Sequence, residues 1–103
     1  MRVSWVEEAL QEFRRLDEQQ QSVVRRFVDT LAEDGIEMDE VGPPVDGETD
    51  LNLFRLKMMD GDSGLNHRAA FDVHDRMFVI YRLSSREGFY SSEELHELES
   101  REP

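Results

Sequence analysis

Three strand-like runs in close succession between residues 51 and 83 constrain this chain more than any other feature. In residues 51–58 the apolar Phe54, Leu56 and Met58 alternate with the cationic Arg55 and Lys57, so one face of a strand is apolar and the other charged. Residues 59–66, MDGDSGLN, read as a turn. Residues 67–73 alternate again, with Ala69, Phe71 and Val73 inward and Arg68, Ala70 and Asp72 outward. A tight turn at His74-Asp75-Arg76 leads into residues 77–83, MFVIYRL, whose almost unbroken apolar character marks the most buried strand. Connections this short join antiparallel neighbours, because a parallel pair needs a crossover of about a dozen residues or more.

The first third of the chain has helical periodicity instead. Ser4 with Glu7 forms a capping-box pattern, and Val6, Leu10, Phe13 and Leu16 share one stripe of a helix over residues 5–16. Asp17 with Gln20 repeats the cap. Val24, Phe27, Val28 and Leu31 then follow at helical spacing to about residue 33, and Gly35 suits a left-handed helix end. Residues 1–3 are long enough for a short strand at most. Residues 36–50 form an acidic loop with Pro43, Pro44, Gly42 and Gly47. Residues 88–91 read as a short last strand, and Ser91 and Glu94 cap a polar helix over residues 92–101. The expected fold is α+β, in the order (β)ααβββ(β)α, with a helical hairpin packed on one face of a small antiparallel sheet. At 103 residues it is one domain, with residues 36–50 as a loop and 92–103 as a C-terminal helix and tail.

Charge narrows the function. The formal net charge is −12, which opposes general nucleic-acid binding. It is unevenly spread: residues 1–34 carry −3, residues 35–50 carry −6, residues 91–103 carry −4, and the strand region 51–90 carries +1. Lys57 is the sole lysine among 12 cations. Abundant acids with almost no lysine point to a proteome adapted to high salt, which screens self-repulsion; a GC-rich genome would also favour arginine over lysine. With no cysteine, disulfides, zinc–thiolate sites and a thiol nucleophile are excluded. No apolar run reaches the roughly 18 residues of a membrane span and no signal-peptide pattern opens the sequence, so a cytoplasmic protein is expected. Asp60-Gly61-Asp62-Ser63-Gly64 imitates the start of a calcium loop, but Leu65 and Phe71 stand where such a loop needs glycine and glutamate. His67, His74 and His96 lack metal-ligand spacing. No metal or cofactor is expected.

The chemistry-bearing pattern is cationic. Arg55 and Lys57 lie on one face of the first long strand, Arg68 lies on the next, Arg82 and Arg86 flank the end of the third, and Tyr90 follows. Such a group can hold a phosphodiester. Cleaving RNA without a metal needs a base for the 2′-OH, fixed cations for the phosphorane and an acid for the leaving 5′-oxygen. The guanidinium fork suits the second task, and an aromatic ring can stack a splayed base. The competing reading is that these cations pair with the many surface acids and contribute little.

In layout, the segments VEEALQEFRRL, FRLKM, NHRAAFDVHDRMFVIYRL and SREGFYSSEEL resemble the RelE-like toxins of type II toxin–antitoxin systems, in the RelE/ParE superfamily. The resemblance implies a small endoribonuclease that cuts mRNA in the ribosomal A site and is neutralised by an antitoxin. Carried over by position, Arg55 and Lys57 match the paired lysines of the family strand, and Arg68 matches its phosphate-binding arginine. Arg86 and Tyr90 look like the late arginine and tyrosine, at shorter spacing. The implied roles are phosphorane stabilisation by Arg68 and Arg86 with help from Arg55, proton abstraction by Lys57, and base stacking or proton relay by Tyr90, with Arg55, Arg82 and His67 as substrate-binding residues. His67 is an alternative base. Two other readings fit the same layout: a ParE-like gyrase inhibitor, and a toxin-fold binding module without activity.

Overall fold

The computed structural model describes residues 1–42, 53–85 and Arg101. The order is β1 (Arg2–Trp5), α1 (Glu7–Arg14), α2 (Glu18–Asp34), a 3₁₀ turn (Gly35–Glu37), β2 (Val41–Gly42), β3 (Phe54–Asp60), β4 (Leu65–His74) and β5 (Met77–Ser85). The five strands form one sheet in the order β1-β5-β4-β3-β2. The three long strands pair antiparallel as expected, and β1 adds to β5 in parallel, so the sheet is mixed. The α1–α2 hairpin that separates β1 from the other strands lets this pair form, since parallel neighbours need a long crossover.

Strand β5 lies between β1 and β4, which is why its sequence is apolar throughout: Phe78, Val79, Ile80, Tyr81 and Leu83 are all buried. One sheet face carries Leu56 and Met58 of β3, Ala69 and Phe71 of β4, and Phe78 and Ile80 of β5. Val6, Ala9 and Phe13 of the α1 region and Val24, Val28 and Leu31 of α2 join them in a single core. Phe71 is its hub, with its ring 5.6 Å from Phe54 and edge-on to Phe78 at 5.4 Å. No described helix is long and apolar enough to cross a membrane.

Local signals predict some boundaries and miss others. Asp17 caps α2 as expected, its carboxylate accepting the Gln20 N–H at 2.8 Å. Gly35 ends α2 at φ +70°, in the left-handed region. The cap expected at Ser4 does not form. Ser4 is a strand residue opposite Val79, the Val6 N–H donates to the Ile80 carbonyl, and α1 begins at Glu7 without a side-chain cap. Pairing with a buried strand outweighs a cap of about 1 kcal/mol. Strands β3 and β4 reach further toward each other than expected, leaving residues 61–64 as the turn, where the Asp60 carboxylate accepts the Ser63 N–H at 2.9 Å. The turn at Asp75 and Arg76 places both residues at positive φ, the two-residue primed turn that matches strand twist. The expected acidic loop contains β2, which pairs with β3. The expected strand at 88–91 and helix at 92–101 lie outside the described residues, Arg101 excepted.

Alternation fails near the end of β4. The pairing slips between Ala70 and Phe71, with Arg82 opposite Ala70 and Ile80 opposite Phe71, so β5 carries the extra residue, Tyr81. Ala70 is buried although it shares a row with Arg82, and Val73 is exposed although it pairs with buried Phe78, so burial here does not follow the expected alternation. Just past this bulge β1 has ended, and side chains satisfy the edge of β5. The Leu83 N–H donates to Glu12 Oε1 at 3.0 Å, and Arg101 Nη1 donates to the Tyr81 carbonyl at 2.7 Å. The Arg101 guanidinium, 7% exposed, also pairs with Glu12 at 3.1 Å. Glu12→Ala therefore removes the nearer carboxylate of a buried guanidinium, leaving Glu8 at 3.8 Å, and takes the acceptor from the Leu83 N–H. The expected loss is about 3–5 kcal/mol in urea unfolding, with partial recovery in Glu12→Gln. A loss below about 1 kcal/mol would mean the pair behaves as a surface contact.

Candidate functional site

The register that packs the core also sets the charges on the opposite face. Leu56 faces Ala69, and Ala69 faces Leu83, on the helix side. The intervening residues must then point the other way, in two cross-strand rows: Arg55–Ala70–Arg82 and Lys57–Arg68–Ser84. Lys57 and Arg68 are thus directly opposed across two hydrogen-bonded strands, with Arg55 diagonal to Arg68. Like charges in this position oppose pairing. Among the described residues, neither Lys57 nor Arg68 makes an ion pair, although the chain has 24 acids. That observation counts against the surface-pairing reading for these two cations.

Arg55, Lys57 and Arg68 line one cavity of about 210 Å³, closed on its far side by Asp39, Glu40, Val41 and Gly42. Strand β2 holds that wall in place: Gly42 pairs with Arg55, and the Lys57 N–H donates to the Glu40 carbonyl at 2.9 Å. Gly42 is where the Arg55 side chain crosses. A Cβ there would lie 3.2 Å from Nε and 3.4 Å from Nη2, closer than the guanidinium tolerates without moving. Arg55 and Arg68 are half-buried and Lys57 is exposed, so two cations are braced by their stems while the third reaches out. The arrangement can bind an anion with two or more non-bridging oxygens.

The other sequence-derived candidates sit elsewhere. His67 pairs with Met58 and so takes the opposite sheet face from Arg68. Its Nδ1 accepts the Asn66 N–H at 3.3 Å, and burial pushes its pKa below the ordinary 6.5. It does not reach the cationic cavity, because strand neighbours alternate. Arg82 shares a row with Arg55, but its Nη2 donates to Ser84 Oγ at 3.3 Å, and it borders a separate cavity with Glu12 and Arg101. Arg86 and Tyr90 lie outside the described residues. The sequence reading missed Asp39, Glu40 and Gly42. Their one signal was Val41, a lone apolar residue between acids and a glycine in an otherwise loop-like run.

Two helices on one face of a five-stranded mixed sheet is the fold of the RelE toxins. The chain is similar to a doubly arginine-substituted mutant of E. coli toxin RelE in the free state, with a TM-score of 0.67 and 15% identity over 93% of this chain and 94% of that one. It is similar to the archaeal RelE of a RelE–RelB complex from Pyrococcus horikoshii OT3, with a TM-score of 0.64 and 21% identity over 84% and 96%. The intact E. coli RelBE toxin–antitoxin complex gives a TM-score of 0.57 and 20% identity over 84% and 96%. No protein-family model and no curated protein matches the sequence.

Two outcomes follow from this geometry. A double-mutant cycle on Lys57→Gln and Arg68→Gln should return a repulsive coupling of about 0.2–1 kcal/mol at low salt that shrinks in concentrated salt; an attractive coupling would mean the two heads do not face each other. His67 resists protonation in the fold. The unfolded chain therefore binds the proton more readily, and stability is lost as pH falls through 6.5 toward the lower folded value. The stability advantage of Asn or Gln at position 67 over the native histidine should grow across that window in unfolding titrations.

Proposed function

We propose that this chain is the toxin of a toxin–antitoxin pair, a cytoplasmic endoribonuclease that cuts mRNA in the ribosomal A site. The observation that carries this reading is the register that opposes Lys57 to Arg68, with Arg55 diagonal, around one cavity of a RelE-fold sheet. A cation pair of this kind weakens the sheet, and a phosphodiester would relieve the repulsion. RNA transesterification needs what these side chains supply. The 2′-OH loses its proton to Lys57, its oxygen attacks phosphorus, and the bond to O5′ breaks as that oxygen takes a proton relayed through Tyr90. Arg68 and Arg55 hold the non-bridging oxygens as charge builds on the phosphorane. Lys57 is assigned the 2′-OH proton, because a guanidinium stays protonated and cannot act as the base. Arg86 and Tyr90, assigned by resemblance, complete the set as phosphate ligand and base-stacking or proton-relay residue.

An antitoxin is the expected protein partner. Two of the similar structures are RelE–RelB and RelBE complexes. Ribosome dependence fits a protein of net charge −12, because free RNA is repelled at long range and a docked ribosome must deliver the strand.

Primer-extension mapping of a translated mRNA in a salt-matched translation system tests the reading. Wild type should cut only on ribosomes. Arg68→Ala should lower the cutting rate about 10²–10³-fold and Lys57→Ala about 10²–10⁴-fold, both with unchanged circular dichroism. A folded wild type that leaves translated mRNA intact would exclude the nuclease, and gyrase-dependent DNA breaks would then be looked for instead.

A further inference from the structure

The cationic cavity has a second wall of opposite charge. Asp39 and Glu40 line it together with Arg55, Lys57 and Arg68. Both acids are exposed, and among the described residues neither makes an ion pair. Acids and cations thus line the same space, and among the described residues no ion pair joins Asp39 or Glu40 to Lys57 or Arg68. The separation is built into the backbone: Glu40 is held through its carbonyl to the Lys57 N–H, and β2 ends two residues later at Gly42 beneath the Arg55 side chain. A ligand that fills this space must be anionic at one end and rich in hydrogen-bond donors at the other. A bare anion suits only half of it.

A nucleotide has that polarity. Its phosphate meets the cations, and its base then meets carboxylates, which accept hydrogen bonds and donate none. Guanine, cytosine and adenine each offer an exocyclic amine to such an acceptor, whereas uracil offers a single ring N–H flanked by two carbonyls that the carboxylates repel. We propose that Asp39 and Glu40 are specificity-determining residues that select an amino-bearing base, over uracil, next to the bound phosphate. The proposal rests on the phosphate-binding reading of the same cavity and adds which nucleotide it takes.

Calorimetric titration with guanosine, cytidine and uridine 3′,5′-bisphosphates tests this without ribosomes. Wild type should bind the guanosine and cytidine compounds about tenfold more tightly than the uridine compound, the worth of one charge-assisted hydrogen bond. In Asp39→Asn/Glu40→Gln, which changes two exposed side chains, that preference should fall below about threefold while uridine bisphosphate binds more tightly than to wild type, because repulsion is removed. Equal binding of all three by wild type would overturn the base selection and leave the phosphate site standing. An unchanged preference in the double variant would overturn the assignment to Asp39 and Glu40. No binding of any bisphosphate by wild type, together with no effect of Arg68→Ala, would overturn the phosphate site and this proposal with it.

Discussion

The pairing of β3 with β4 couples the core to the cationic face. Leu56 opposite Ala69 and Phe54 opposite Phe71 bury their side chains under the helices, and only this register buries them. A slip of one residue would turn Leu56 and Met58 out and carry Lys57 into the core. The core therefore enforces what the charges resist. Burying side chains of this size stabilises by about 1.5–3 kcal/mol each, while opposed like charges cost about 1 kcal/mol at most. The sheet can hold Lys57 against Arg68 because the hydrophobic term on the other face is several times larger. Neither cation has to be stabilised by a carboxylate, which leaves both heads available to an anion.

The same separation of scales resolves the conflict between net charge and site charge. A chain of −12 repels polyanions at a distance, but over more than about 8–10 Å physiological salt screens that field, and concentrated salt screens it sooner. Inside a 210 Å³ cavity the partners are closer than a screening length, and the half-buried guanidinium groups act in a lower dielectric than water. Long-range repulsion and short-range attraction then act on different steps. The first acts on the approach of any polyanion, and the second acts only at contact. An acidic surface is in this sense compatible with a cationic pocket.

The sequence disclosed most where one local rule met no competitor. Asp17 capped its helix, Gly35 ended it, and the alternation of Phe54, Leu56 and Met58 against Arg55 and Lys57 put the two cations on the face away from the core. It misled where two levels disagreed. Ser4 has a good cap signal but lies beside a buried strand with an open edge, and the sheet takes it. The β5 bulge at Tyr81 has no mark in the sequence of β4, and the burial of Ala70 and exposure of Val73 depend on what lies over each of them, which alternation does not report. His67 followed Arg68 in the candidate set because the two are adjacent in sequence, and in a strand adjacency means opposite faces. Residues 41–42 are too few to alter the period of an acidic run, so the second wall of the cavity was hidden.

Arg101 shows the same point from the other end of the chain. A charged residue two positions from the C-terminus, in a run of glutamates, reads as solvated. It is instead among the most buried polar residues described: β5 outruns β1, and the Tyr81 carbonyl and Leu83 N–H are met by the side chains of Arg101 and Glu12. A donor and an acceptor are needed there side by side, and Arg101 and Glu12 supply one each while neutralising one another. Among the described residues, the pair takes these two backbone groups where β1 no longer reaches, beside Arg82. The end of the chain thus helps hold β5, and with it the register on which the cationic face depends.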